Sequence, residues 1–346
     1  MPDHNPFTLT FGKIPYTYIS RQDSVSTILD EYTAVEPTRQ IFLITGVRGC
    51  GKTVLMTSVS QALEREGWIV VRLNPARNYL DELCMRLSEK STGIPDITDR
   101  GFEVSVMGSG FSIGSTDSLD NVGKINRLLS RLKKNNKRVL ITIDEVQNDS
   151  NLKEFALQFQ IFLTEDYPVF LIMTGLYEDL YDIQNASGMT FLLRAPKVYP
   201  EPLGIVPITL EYKRIFGLEQ EKARQLASIT KGYAFAFQVL GSLYWEYRSS
   251  LSQQEILEKF DTILEEQVYR KIWEKLSDQD RAVIQQLLDH EEIKVQELRA
   301  ALHMSSSKFS VYRDRLLKRG ILNAPKYGYL ALALPRFSNI ARLYLE

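Results

Sequence analysis

At 346 residues the chain is too long for one compact core and calls for about two or three domains. Apolar residues make up 44% and charged residues 25%, and the net charge of −1 excludes a uniformly basic nucleic-acid coat while leaving room for a local basic patch. Cys50 and Cys84 are the only cysteines, which excludes a disulfide framework and zinc-type spacing. The start, MPDHNPFTLTFGK, has no apolar targeting core, and no run approaches ~18 apolar residues, so the expected setting is cytoplasmic, away from membranes.

Residues 1–40 read as a lead-in, with Phe7, Phe11, Tyr16, Tyr18 and Ile19 as docking side chains. IFLIT (41–45) reads as a buried strand and TVLMTSVSQALERE (53–66) as the helix that follows it. WIVVRL (68–73) is a second strand and NYLDELCMRLSEK (78–90) an amphipathic helix. Residues 101–118 alternate apolar and small or polar side chains around Gly108-Ser109-Gly110, which predicts a hairpin insertion on the sheet edge. A helix over 122–134 leads to a strand at 138–145, and a helix over 151–165 to a strand at 168–175. Strands alternating with helices in this way predict a parallel sheet covered on both faces.

Beyond residues 199–204 the strand signal fades. Helical patterns fill 221–229, 234–248 and 253–276, and the last seventy or so residues give three short helices and a strand pair. The expected division is an α/β core over 1–205, a helical lid over 206–276 and a small C-terminal domain over 277–346.

Between the first strand and its helix stands GVRGCGKT, in which Gly46, Gly51, Lys52 and Thr53 fit G-x-x-x-x-G-K-[ST]. In that pattern successive backbone N–H groups face inward and cradle a polyphosphate, and glycine lets the backbone come close. Lys52 would reach the β- and γ-phosphates, and the Thr53 hydroxyl would ligate Mg²⁺.

The strand VLITI ends in Asp144 and Glu145. Two carboxylates do not sit in the interior of a buried strand, but they suit the exposed carboxyl end of a central one, where ligands bind in open α/β sheets. Asp144 would hold Mg²⁺ through water, and Glu145 would orient and deprotonate an attacking water. Thr174 ends the next strand at the level of a γ-phosphate, or is simply a β-branched strand end. Arg194 follows an apolar turn and is either a surface arginine or a cation for a transferring phosphoryl group.

Together these segments resemble the AAA+ and STAND-type P-loop ATPases, with the layout of archaeal-type and replication-initiator ATPases. Gly46-Val47-Arg48-Gly49-Cys50-Gly51-Lys52-Thr53 looks like their Walker A loop, with Val54 next in the helix, and Ile143-Asp144-Glu145 like Walker B. Thr174 resembles the sensor-1 residue and Arg194 an arginine finger. Arg21, in FGKIPYTYISRQD, looks like the arginine that helps to frame adenine, although Ser20 stands where a glycine is usual. The resemblance implies a P-loop NTPase fold, bound ATP or ADP with Mg²⁺, slow ATP hydrolysis and, through a finger, a homo-oligomer. The lid departs from the pattern: Gly232-Tyr233-Ala234-Phe235 lacks the G-x-P proline, and Lys231 stands alone where a sensor-2 arginine is common.

In the C-terminal domain, 295–302 and 305–320 read as helix, tight turn and helix, with Ser305 as N-cap and Gly320 just past the end. Two short strands around Pro325-Lys326-Tyr327-Gly328 complete the outline of a winged helix. Lys308, Arg315 and Arg319 fall near one face of the second helix, while Phe309, Tyr312 and Leu316 turn inward. That division suits phosphate contacts, so double-stranded DNA bound through 305–319 is one expectation. A winged helix that binds a protein partner, as in signalling or defence switches, is the other.

Overall fold

The computed structural model describes residues 4–10, 14–92 and 120–345; the hairpin expected at 101–118, and Phe11, lie outside them. Helix α1 (Gln22–Thr33) precedes strand β1 (Ile41–Thr45), α2 (Lys52–Arg65), β2 (Ile69–Leu73), α3 (Tyr79–Lys90) and α4 (Asn121–Lys134). Then come β3 (Val139–Ile143), α5 (Ser150–Thr164), β4 (Val169–Gly175), α6 (Tyr177–Asn185), a 3₁₀ turn at Thr190–Arg194 and β5 (Lys197–Val198). The sheet order is β2-β3-β4-β1-β5, and every pairing is parallel.

The two-residue period of the strands divides their side chains between two cores. Phe42, Ile44, Leu140, Phe170 and Ile172 pack beneath α1 and α2. Ile41, Leu43, Ile141, Ile143, Leu171 and Met173 pack beneath α3, α4, α5 and α6. Each such buried side chain contributes about 1.5–3 kcal/mol relative to exposure. Helix starts follow the sequence closely: Asn78, Asp120 and Asp149 each accept a hydrogen bond from a first-turn N–H. Helix α1 lies within the segment read as a lead-in; it buries only Ile28 and Tyr32, too few for a clear helical stripe.

The second half continues with α7 (Ile205–Phe216), α8 (Gln220–Ile229), α9 (Ala234–Tyr247) and α10 (Gln253–Leu264). A π-helical turn at Glu265–Tyr269 leads into α11 (Arg270–Glu274). The single helix expected over 253–276 is therefore interrupted. The wider turn leaves both Val268 and Tyr269 buried, with the Tyr269 hydroxyl donating to Pro335 O at 2.8 Å. The chain ends with α12 (Asp278–Gln285), β6 (Ile293–Lys294), α13 (Val295–Ala301), α14 (Ser306–Lys318), β7 (Leu322–Asn323), β8 (Tyr329–Leu332) and α15 (Phe337–Leu343). Strand β6 joins the expected pair to make a three-stranded antiparallel sheet, β6-β8-β7.

One continuous apolar cluster runs through α7–α15 and takes in Phe7 and Cys50. Among the described residues no helix is long and apolar enough to cross a membrane.

Candidate functional site

The glycine loop turns from the carboxyl end of β1 into α2. Gly49 (φ +77°) and Gly51 (φ +97°) lie in the left-handed region, where a side chain would be strained. Space also works against one: a Cβ on Gly49 would fall 2.9 Å from Phe235 Cβ, and one on Gly51 would press on the Arg21 guanidinium at 2.8 Å. The Lys52 ammonium is buried and folds back on the loop, donating to Gly46 O at 2.9 Å and Val47 O at 3.1 Å.

Strand β4 lies between β1 and β3, with Ile44 level with Thr174 and Ile143 level with Met173. This register brings the loop and the two carboxylates to the same edge of the sheet. The Thr53 hydroxyl donates to Asp144 Oδ2 at 2.8 Å, and the Thr174 hydroxyl donates to Asp144 Oδ1. Glu145 adopts φ +53°, and its N–H donates to Thr174 Oγ1 at 3.1 Å. Its carboxylate is mostly exposed and faces Arg48 Nη2 at 3.9 Å.

A cleft opens over this edge, lined by Arg48, Gly49, Gly51, Lys52, Thr53, Val54 and Glu145. Its other half is built by Thr8–Thr10 and Thr17–Ile19 of the lead-in and by Ala234, Phe235 and Phe237 of α9. Arg21 ties the halves together: Nη2 donates to Cys50 O and Nε to Glu201 O, both at 2.7 Å. Burial lowers the pKa of its guanidinium from the ordinary value. Phe7 anchors the lead-in against Tyr212, Phe216 and Phe237, and Gln238 bonds to both Thr8 N and Thr17 O.

Sequence reading missed how α9 seals the loop. The Tyr233 hydroxyl donates to Arg48 O, and the Phe235 N–H donates to Gly49 O at 3.1 Å. Burial raises the Tyr233 phenol well above its usual pKa. The break at Gly232 was the visible signal. Lys231, beside Gly232, donates to Leu332 O at 2.9 Å. Asp179 and Lys275 also line the cleft, and burial raises the Asp179 carboxyl, with Lys275 opposing.

Arg194 is exposed on the 3₁₀ turn, outside the residues lining its own chain's cleft, a placement compatible with a finger that reaches a second copy. One expectation does not hold in this geometry: Arg315 and Arg319, expected on a free basic face, are held in ion pairs. Arg315 Nη2 lies 2.6 Å from Asp280 Oδ1, and Arg319 pairs with Glu178 of α6 and lies 3.8 Å from Asp280 Oδ2. Asp280 is fully buried and Arg319 nearly so. A helical-face argument sees neither partner, because both come from other elements. Lys308 and Lys318 remain exposed on α14, Lys318 with its ammonium over the Tyr177 ring. Phe309 and Leu316 are buried as expected. The C-terminal segment also reaches the glycine loop, since a Cβ on Gly320 would lie 3.6 Å from Val47.

The AAA ATPase domain family matches residues 18–172, and a domain of unknown function matches residues 266–339. A search of curated proteins returned no match. Among solved structures, the Walker-type ATPase of Pyrococcus abyssi is similar at 14% identity and a TM-score of 0.63, covering 93% of this chain and 95% of that one. The ORC2 protein of Aeropyrum pernix, solved as ADPNP–ADP complexes, is similar at 14% identity and a TM-score of 0.52, covering 94% and 92%. Likeness at that identity speaks for the fold. Residues 18–172 thus match the AAA ATPase domain family, in a chain that shares the P-loop NTPase fold of the archaeal Walker-type ATPase and ORC2 structures.

Proposed function

We propose that this chain binds ATP in the cleft over the glycine loop, hydrolyses it slowly, and uses the nucleotide state as a conformational switch. The observation that carries the reading is the meeting of Thr53, Asp144 and Thr174, from three separate segments, at the edge where Lys52 and Glu145 also stand. Lys52 would exchange two loop carbonyls for phosphate oxygens, a better partner for an ammonium. Thr53 and Asp144 offer the hard oxygen donors that suit Mg²⁺, which would neutralise charge on the β- and γ-phosphates. Glu145 would take a proton from the attacking water, and Thr174 would hold Glu145 and the water in register. Arg21 and the lead-in would enclose the adenine.

The switch reading rests on α6. Thr174 stands at the end of β4, and four residues later Glu178 pairs with Arg319 at the end of α14. A shift at the phosphate edge would therefore reach the C-terminal segment through a short, rigid path. We read this segment, with its helices and β7-β8 wing, as a winged helix over 277–346, joined to a lid over 206–276 and a core over 1–205. Its two best-placed arginines already serve ion pairs within the chain, which favours an internal or protein contact over DNA. A cytoplasmic setting fits this role. Phosphate release from ATP, followed with Mg²⁺ present, tests the proposal: Glu145→Gln should retain ATP and slow release by about a hundredfold or more. Release at the wild-type rate would remove Glu145 from that role.

A further inference from the structure

We propose that Arg48 is the cation facing the transferring phosphoryl group, supplied by the same chain that binds the nucleotide. This inference rests on the ATP reading of the cleft and assigns to Arg48 a role that sequence reasoning offered to Arg194. Arg48 stands in the glycine loop, and its guanidinium faces Glu145, the carboxylate placed to activate water, at 3.9 Å. The two side chains are 32% and 61% exposed, so the pair is loose and solvent-facing, and easily opened to admit phosphate. The backbone beneath it is fixed. Arg48 O accepts from the Tyr233 hydroxyl and Gly49 O from the Phe235 N–H, so the side chain is the part free to move.

Charge favours a further cation at this place, on the side of the attacking water that Lys52 and Mg²⁺ do not cover. A carboxylate base and a phosphoryl group are both anionic, and bringing them to either side of one water needs a positive group that touches the outer oxygens. The other cleft cations are differently placed: Lys52 is assigned to the β- and γ-phosphates from the loop side, Arg21 is committed to Cys50 O and Glu201 O, and Lys275 acts electrostatically on Asp179. Arg194 is outside the cleft lining. In the step itself, the water oxygen bonds to the γ-phosphorus as the bond to the β–γ bridging oxygen breaks. The electron pair leaves with ADP, Glu145 takes the water proton, and Arg48 stabilises the charge on the phosphoryl oxygens.

The test uses the full chain, with ADP and then ADP plus aluminium fluoride, a planar stand-in for the phosphoryl group, titrated by calorimetry in the presence of Mg²⁺. Wild type should hold the fluoride complex more tightly than ADP. Arg48→Ala should lose about tenfold or more of that affinity while binding ADP within about twofold of wild type, and Arg48→Lys should regain part of it. Phosphate release per chain should be independent of protein concentration and unchanged in Arg194→Ala. Normal binding of the fluoride complex by Arg48→Ala would overturn the proposal, as would turnover that rises with concentration and is lost in Arg194→Ala. Absence of ADP binding by wild type would instead overturn the ATP reading on which it rests.

Discussion

The Thr53 hydroxyl donates to Asp144 Oδ2 across 2.8 Å, joining residues 91 positions apart. Asp144 takes a second hydroxyl, from Thr174, on its other oxygen. The carboxylate is therefore held in place by the glycine loop on one side and by β4 on the other. A hard-oxygen ligand fixed in this way needs little rearrangement to meet a cation.

Asp144→Asn keeps the shape of the side chain and removes its charge. ATP titrations with and without Mg²⁺ should show the metal strengthening binding to wild type and giving little or no gain in the variant. An equal gain in both would place the metal elsewhere.

Asp280 is fully buried between Arg315, Arg319 and the N-cap Ser277, whose hydroxyl bonds to Asp280 Oδ2 at 2.7 Å. Asp280→Ala leaves a nearly buried guanidinium without one of its counter-charges. It should destabilise the chain by about 3 kcal/mol or more, read from urea unfolding. A loss below about 1 kcal/mol would show that water reaches the cluster.

Tyr79 is buried, and its hydroxyl finds no hydrogen-bond partner among the described residues. Burial, with help from Asp149 and Glu82, pushes its pKa up from 10.0 to about 12. The folded chain thus keeps a proton that the unfolded chain releases above pH 10. The contribution is fully present below that pH and is lost as pH rises toward 12. Tyr79→Phe should flatten this alkaline decline, and at about pH 7 should leave stability unchanged or raise it by about 1 kcal/mol. Thermal melts near neutral pH and across the alkaline range from 10 to 12 check both effects.

The sheet edge that gathers Thr53 and Asp144 was legible in the sequence because its residues lie in short contiguous runs, GVRGCGKT and IDE, each behind an apolar strand. The alternation of strand and helix was equally plain, since parallel strands buried on both faces read as unbroken apolar runs. What the sequence hid depends on contacts between distant segments. Arg315 and Asp280 are 35 positions apart, and Glu178 belongs to the other half of the chain, so a helix-face argument left the arginines free for DNA. Helix α1 escaped notice because two buried side chains in 12 residues make no stripe. The π-helical turn in the long 253–276 pattern answers to Pro335, far along the chain. The clamp of Tyr233 and Phe235 on the loop gave only one local hint, the glycine before it.

The most direct measurement of the central claim is calorimetric titration of ATP into wild type and Lys52→Ala. Among the described residues Lys52 donates to two loop carbonyls, so its removal should leave the fold intact while taking away the cation that would meet the β- and γ-phosphates. The expected result is measurable ATP binding by wild type and a loss of about a hundredfold or more in the variant, with matching thermal melts in the absence of nucleotide. Equal ATP affinity in the two proteins would contradict a nucleotide site at the glycine loop.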